Sequence, residues 1–442
     1  MAGMSNHATP SPVGPGNDAA HRADLHAPGR VFVRTVRVEE DVDLTAHLPA
    51  AASAIWLRHG QGLVALGEVW SVSTDGPERF ADASAAFRDL AAQAQVHDDV
   101  RTRMSGLVAL GTFSYTAASP RPSRLLVPRA ILGVEDGEAF LTVISRGQEP
   151  ELPASWRDLF TATPSSAAAE VDVDPDHTPD EYQGLVRQAV AAITAGQAQK
   201  VVLSERSTVH VPQGVEPSAV AARLAHLYPS CWTYRMGDVL GASPEMLAQT
   251  ERGRLFSRVL AGTRAAAEVG GLTEEDRRLF RSDPKEREEH DYAVRSVVDR
   301  LVDLADHIEA SEEPFVLRLP GLEHLASDVT AHLSSGVTSL DVAARLHPSA
   351  AVSGTPRERA DEIIAALEPH DRGGYAAPVG WMNASGDGQW AIALRMAHLV
   401  DQHTVRVQAG GGLVAASDAV AEHAEALAKT RPMLRALRGD DA

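Results

Sequence analysis

The chain has 442 residues, 44% hydrophobic and 23% charged, with a formal charge of −19 and one cysteine, Cys231. Such a length holds one large domain or two ordinary ones. The charge argues against nucleic acid or an anionic membrane as a partner, and a lone cysteine excludes an intrachain disulfide and a cysteine-based zinc site.

Met1 to about Pro28 is rich in Pro, Gly, Ala, His and Asn and lacks the apolar stretch of a signal peptide, so it reads as a disordered tail. No run of about 18 apolar residues follows, so no membrane span is expected, and a cytoplasmic location fits the single thiol. From Val31 the pattern is strand-like. Val31-Phe32-Val33, Ala54 to Leu57, Gly62 to Leu66 and Leu107 to Leu110 are short apolar runs parted by glycine and polar residues, with one helical stretch from Phe80 to Ala94. The polar segment from about Glu149 to Pro175 reads as a crossing loop.

A helix start follows. Thr178 is a good N-cap, Pro179 suits the first helical position, and Glu181 completes a capping box. Leu185, Val186, Ala189, Val190 and Ile193 recur at helical spacing, and Gly196 stops the helix before the strand Lys200-Val201-Val202-Leu203-Ser204. Helices and strands alternate to the end, which predicts an α/β (α+β) protein with large sheets. The division is a tail over 1–28, an N-terminal part of the fold over 29–165 and a catalytic region over 166–442.

Four places carry chemistry-bearing residues. Lys200 opens a strand directly after a glycine-capped helix; alone it reads as an edge lysine reaching water. Glu245 sits in the turn Gly241-Ala242-Ser243-Pro244-Glu245, where a solvent-facing glutamate is the plainer reading. The helix from Asp283 carries Lys285, Glu286, Glu288, Glu289 and His290, with His290 in line with the apolar stripe; acidic residues favour helix starts in any case. Last, Ala409-Gly410-Gly411-Gly412-Leu413-Val414 precedes Glu422, Glu425 and Lys429, which share one helical face and could be a surface ion pair with a spare glutamate. Together these places supply carboxylates for a hard cation, a lysine, a candidate acid and backbone donors, as a magnesium site for an anion requires.

From Thr178 to Leu437 the chain resembles the chorismate-utilising enzymes. The resemblance rests on Lys200-Val-Val-Leu-Ser, Gly241 to Glu245, Leu260-Ala261-Gly262-Thr263, Glu289-His290, His324-Leu325, His347-Pro348 through Ser353-Gly354, Ala393-Leu394-Arg395, and the glycine run with Glu422, Glu425 and Lys429. It implies one large domain with two facing β-sheets flanked by helices, the N-terminal region completing the same fold. Three positions bear on the branch. Members that use ammonia usually carry glutamine where Lys200 stands, aminodeoxychorismate synthases carry lysine where Ala261 stands, and salicylate and anthranilate synthases typically carry threonine where Ala351 stands. All three point to an isochorismate synthase, with salicylate synthase as the alternative. Two departures are Ser349-Ala350 within the His347-Pro348 motif, usually Thr-Pro, and Gly411, commonly alanine.

The resemblance also implies roles. Glu289 and Glu425 would ligate Mg²⁺, with Glu422 acting through water. Arg395 would clamp the side-chain carboxylate of chorismate, with Tyr375 lining the pocket. Backbone amides near Gly262 and Gly410, the Thr263 hydroxyl and Lys429 would complete anion recognition, and His324 would be a neutral donor. Lys200, as the neutral amine, would activate water for attack at C2, and protonated Glu245 would release the C4 hydroxyl. No glutaminase subunit is expected, and family members of this kind are often monomers. The product would feed menaquinone or siderophore synthesis.

Overall fold

The structure, a computed structural model, describes residues 29–161, 169–265, 272–319 and 322–439; the segment read as a disordered tail lies outside them. Among the described residues the strands form two sheets, of 13 and 10 strands. Pairing is antiparallel except where Phe32–Thr35 lies parallel to Gln95–Asp98. Segregated helices on antiparallel sheets make this an α+β architecture.

Both sheets interleave strands from before and after residue 165. Ala52–Arg58 pairs with Trp232–Met236 in the larger sheet, and Val108–Thr112 pairs with Pro378–Asn383 in the smaller. The largest apolar cluster draws on both, with Trp56 and Tyr234 from one and Trp381 and Trp390 from the other, all at most 2% exposed. The Trp56 indole also donates to Gln389 Oε1 across the sheets at 3.0 Å.

Local signals act where they occur. Thr178 caps the helix Pro179–Thr194 through a complete box with Glu181, and the early helix runs Arg79–Gln93. The described parts of the segment read as a crossing loop hold more structure than its polarity indicates. Trp156 and Phe160 are buried in a second apolar cluster, and Asp172–Pro175 forms an edge strand against Ser207–His210. Two large aromatic side chains outweigh the surrounding polar composition, because burying each is worth about 2–3 kcal/mol.

Two places where the chain changes sheet lie side by side. It leaves the larger sheet after Val239–Ser243 and enters the smaller at Met246–Glu251; it returns between Gly388–Ile392 and Met396–Leu399. Ser243 Oγ donates to the Ile392 carbonyl at 2.5 Å, the Ile392 amide donates to the Glu245 carbonyl at 3.0 Å, and the Tyr234 hydroxyl donates to the Leu394 carbonyl at 3.1 Å. This seam holds Glu245 and Arg395 where the two sheets meet.

Candidate active site

Lys200 begins the strand Lys200–His210, paired on one side with Thr404–Leu413 and at its first two residues with Gly354-Thr355. Its side chain lies over Gly412: a β-carbon there would sit 2.7 Å from Lys200 Cε. The neighbouring glycines have their own reasons. At Gly410 a β-carbon would collide with the Leu203 carbonyl of the paired strand, and Gly411 lies beneath the last helix, Ala419–Arg438. One point above Gly411 is 3.3 Å from Glu422 Oε2, 3.8 Å from Glu425 Oε1 and 3.8 Å from Lys429 Nζ. Three glycines thus let side chains approach one strand closely.

Lys200 and Glu245 line the same cavity, of about 900 Å³, together with Leu260, Ala261, Ala351, Thr355 and Tyr292. That size suits a small-molecule site. Burial pushes the Glu245 carboxyl up to about 7, against the opposing charges of Lys200, Lys429 and Arg395. No side-chain hydrogen bond or ion pair engages Lys200 or Arg395 among the described residues. Arg395 also has φ 50°, a left-handed conformation that costs a non-glycine residue energy and clusters at functional sites.

Of the other residues named from the sequence, His324, Tyr375, Arg395 and Lys429 lie near this group, though off the cavity wall itself. His324 bonds the backbone of Gly262; burial lowers its pKa and the nearby Lys429 and Lys200 lower it further, so the ring is neutral at pH 7. Gly262 has φ +76°. Tyr375 is buried beside Arg372, whose guanidinium lies 5.9 Å from its ring; burial raises its hydroxyl to about 12, although Arg372 and Arg395 draw it down. Lys429 donates to the Gly410 carbonyl at 2.8 Å and pairs with Glu425 at 2.6 Å, so the ion pair one helical turn apart does form, over the glycine strand. Burial pushes the Glu422 carboxyl up, a 2.6 Å bond from the Ser417 hydroxyl pulls it down, and the Glu425 charge raises it again.

Thr263 lies opposite His324 in the strand pair, and Glu289 lies in the helix Pro284–Leu301; the side chains of both fall outside the described residues. His290 anchors that helix. It is wholly buried, with Nδ1 3.1 Å from the Ala261 carbonyl and Nε2 2.8 Å from Ser327 Oγ.

Sequence reasoning assigned no role to Glu286, yet its carboxylate packs over Gly262, 2.9 Å from where a β-carbon would be. Its spacing, three residues before Glu289 and four before His290, was the available signal. Ser417, which orients Glu422, had no such signal.

Among the described residues no three acidic or histidine side chains converge tightly enough to hold an ion unaided. Glu422 and Glu425 nevertheless approach one spot, which Lys429 also reaches; burial pushes Glu422 up most, Glu425 adds to that push, and Lys429 offsets part of it. This donor set fits a hard cation that keeps several waters.

A family model described as chorismate binding enzyme matches residues 44–438. The chain is 33% identical to isochorismate synthase DhbC of Bacillus subtilis (strain 168) over 282 residues, covering 61% of this chain and 70% of that protein. It is 36% identical to anthranilate synthase component 1 of Streptomyces coelicolor over 296 residues, covering 65% and 57%. The solved structure of MenF, the menaquinone-specific isochorismate synthase from Escherichia coli, superposes with a TM-score of 0.75 at 21% identity, covering 95% of this chain and 98% of that one, which shows a shared fold.

Proposed function

Because this chain belongs to the chorismate-binding enzymes, we propose that it is an isochorismate synthase, converting chorismate to isochorismate. The observation that carries this reading is the placement of Lys200 and Glu245 on the wall of one cavity, with the glutamate held up to about 7. A base and an acid in separate environments match what exchange of a ring hydroxyl requires.

In this reading Lys200 Nζ takes a proton from water as its oxygen bonds to ring C2. Both ring double bonds shift, from C1=C2 to C1=C6 and from C5=C6 to C4=C5, the bond from C4 to its hydroxyl breaks, and Glu245 gives that oxygen a proton. One water enters and one leaves, so the product is an isomer of the substrate. Afterwards Lys200 is protonated and Glu245 ionised, and proton exchange with solvent resets both. Arg395, unengaged by any carboxylate among the described residues, clamps the side-chain carboxylate of the substrate through its planar fork. Tyr375 lines that end, and Lys429, Thr263 and the backbone near Gly262 and Gly410 face the other anionic groups. His324, neutral and bonded to the Gly262 backbone, has its other ring nitrogen as an acceptor.

Glu425 and Glu422, with Glu289, would hold Mg²⁺, which when bound supplies positive charge that offsets the ring carboxylate in a protein of net charge −19. Lysine at position 200 and alanine at positions 261 and 351 support the isochorismate branch over the amine-using and pyruvate-eliminating ones.

Chromatography of the products after incubation with chorismate and Mg²⁺ tests the proposal. Isochorismate is expected, with little pyruvate and, in ¹⁸O-water, one heavy oxygen per molecule. Stoichiometric pyruvate with salicylate would make the protein a salicylate synthase; anthranilate formed from added ammonia would place it among the amine-using enzymes.

A further inference from the structure

The last helix is two mechanical units. Pro432 lies inside it and has no N–H to bond the carbonyl one turn back, which uncouples the front from the rear. The rear is seated by Met433, Ala436 and Leu437, buried in a cluster with Leu224 and Val407. In the front, where Glu422, Glu425 and Lys429 sit, only His423 and Ala426 are buried. Alanine offers one methyl group and Lys429 a single bond to the Gly410 carbonyl, so His423 is the largest buried side chain at that end.

What His423 grips is Glu205. Its Nε2 lies 3.1 Å from Glu205 Oε2, and its ring is 5.3 Å from that of Tyr182 on the helix Pro179–Thr194. Glu205 is 4% exposed, and neither carboxylate oxygen has a well-formed hydrogen bond among the described residues. It stands opposite Ala409, adjoining the pair of Ser204 with Gly410, so the contact ties the helix to the strands that present the glycine run. A buried carboxyl with one poorly aligned contact is costly to stability. Leucine here would fill the space at lower cost, so the pair calls for a role other than stability.

We propose that Glu205 is a positioning residue: through His423 it sets the height and rotation of the front of the last helix, and so the aim of Glu422, Glu425 and Lys429. The inference rests on reading that helix as part of the metal-holding group.

Two readouts on the full chain, neither needing turnover, test it: hydrogen–deuterium exchange and calorimetric titration with Mg²⁺. In Glu205→Ala the amides of residues 419–428 should exchange faster while those of Thr404–Leu413 do not, and Mg²⁺ binding should weaken about tenfold. Glu205→Gln keeps a hydrogen-bonding group in place and should restore both to within about twofold of the wild type. If Glu205→Ala does not fold, His423→Asn takes its place. Wild-type exchange or wild-type Mg²⁺ affinity in the alanine variant overturns the proposal, as does accelerated exchange across both sheets in the Ala and Gln variants alike. If the wild type itself binds no Mg²⁺, the metal reading fails, and exchange alone decides whether Glu205 anchors the helix.

Discussion

At the scale of single residues, the roles proposed for Lys200 and Glu245 make separable predictions. Lys200→Gln keeps polarity and most of the length but has no basic nitrogen. Isochorismate formation should fall by about 100- to 10,000-fold, the usual contribution of a general base, while calorimetry finds chorismate affinity within a few-fold of the wild type. Near-normal turnover would return Lys200 to a charge-positioning role. Glu245, as the proposed acid, would set the alkaline limb: it must carry its proton, so kcat should decline as pH rises through about 7. The same group ties function to stability. Folding raises its carboxyl from 4.5 to about 7, so in that window the folded state binds more protons than the unfolded chain, and stability falls as pH rises. Glu245→Gln removes the buried charge and should gain at most about 3 kcal/mol at pH 8 by chemical denaturation, while losing turnover. A less stable Gln variant at pH 8 would mean that the carboxylate is well solvated.

At the scale of elements, the glycine strand separates backbone fit from side-chain fit. A β-carbon at Gly412 meets the flexible end of Lys200, 2.7 Å away, whereas at Gly410 it meets the rigid Leu203 carbonyl. Gly412→Ala should therefore fold with a Tm near the wild type and lose about 100-fold in kcat, because a displacement of about 1 Å in a reacting group costs on that order. Gly410→Ala should disturb the pairing itself and lower Tm. Equal kcat in Gly412→Ala and the wild type would show that Lys200 works from elsewhere. The helix Pro284–Leu301 obeys the same division: buried His290 ties it to Ala261 and Ser327, which places Glu286 over Gly262.

At the scale of the whole molecule, the site belongs to neither sheet alone. Lys200 and the glycine run come from the larger sheet, Gly262 and His324 from the smaller, and Glu245 and Arg395 from the seam between them. A ligand bound at the proposed site would bridge both sheets, so chorismate with Mg²⁺ should raise Tm, and excess EDTA should abolish both the shift and turnover. Full turnover in EDTA would remove the metal from the mechanism. Glu425→Ala should lose activity with little change in the Tm of the ligand-free protein, since Glu425 is half exposed and buries little surface. Part of the fold was legible in the chain itself. The Thr178 cap and the stop at Gly196 act within a turn of the helix they delimit, and the residues proposed for the site occur in short motifs. What the tertiary structure decided are contacts between distant segments: the pairing of Ala52–Arg58 with Trp232–Met236, the burial of Trp156 within a polar stretch, Glu286 over Gly262 and Glu205 against His423. Caps and periodicity are local energies set by neighbours in the chain, whereas these contacts depend on which apolar faces meet when the two sheets close, and that is a property of the assembled core.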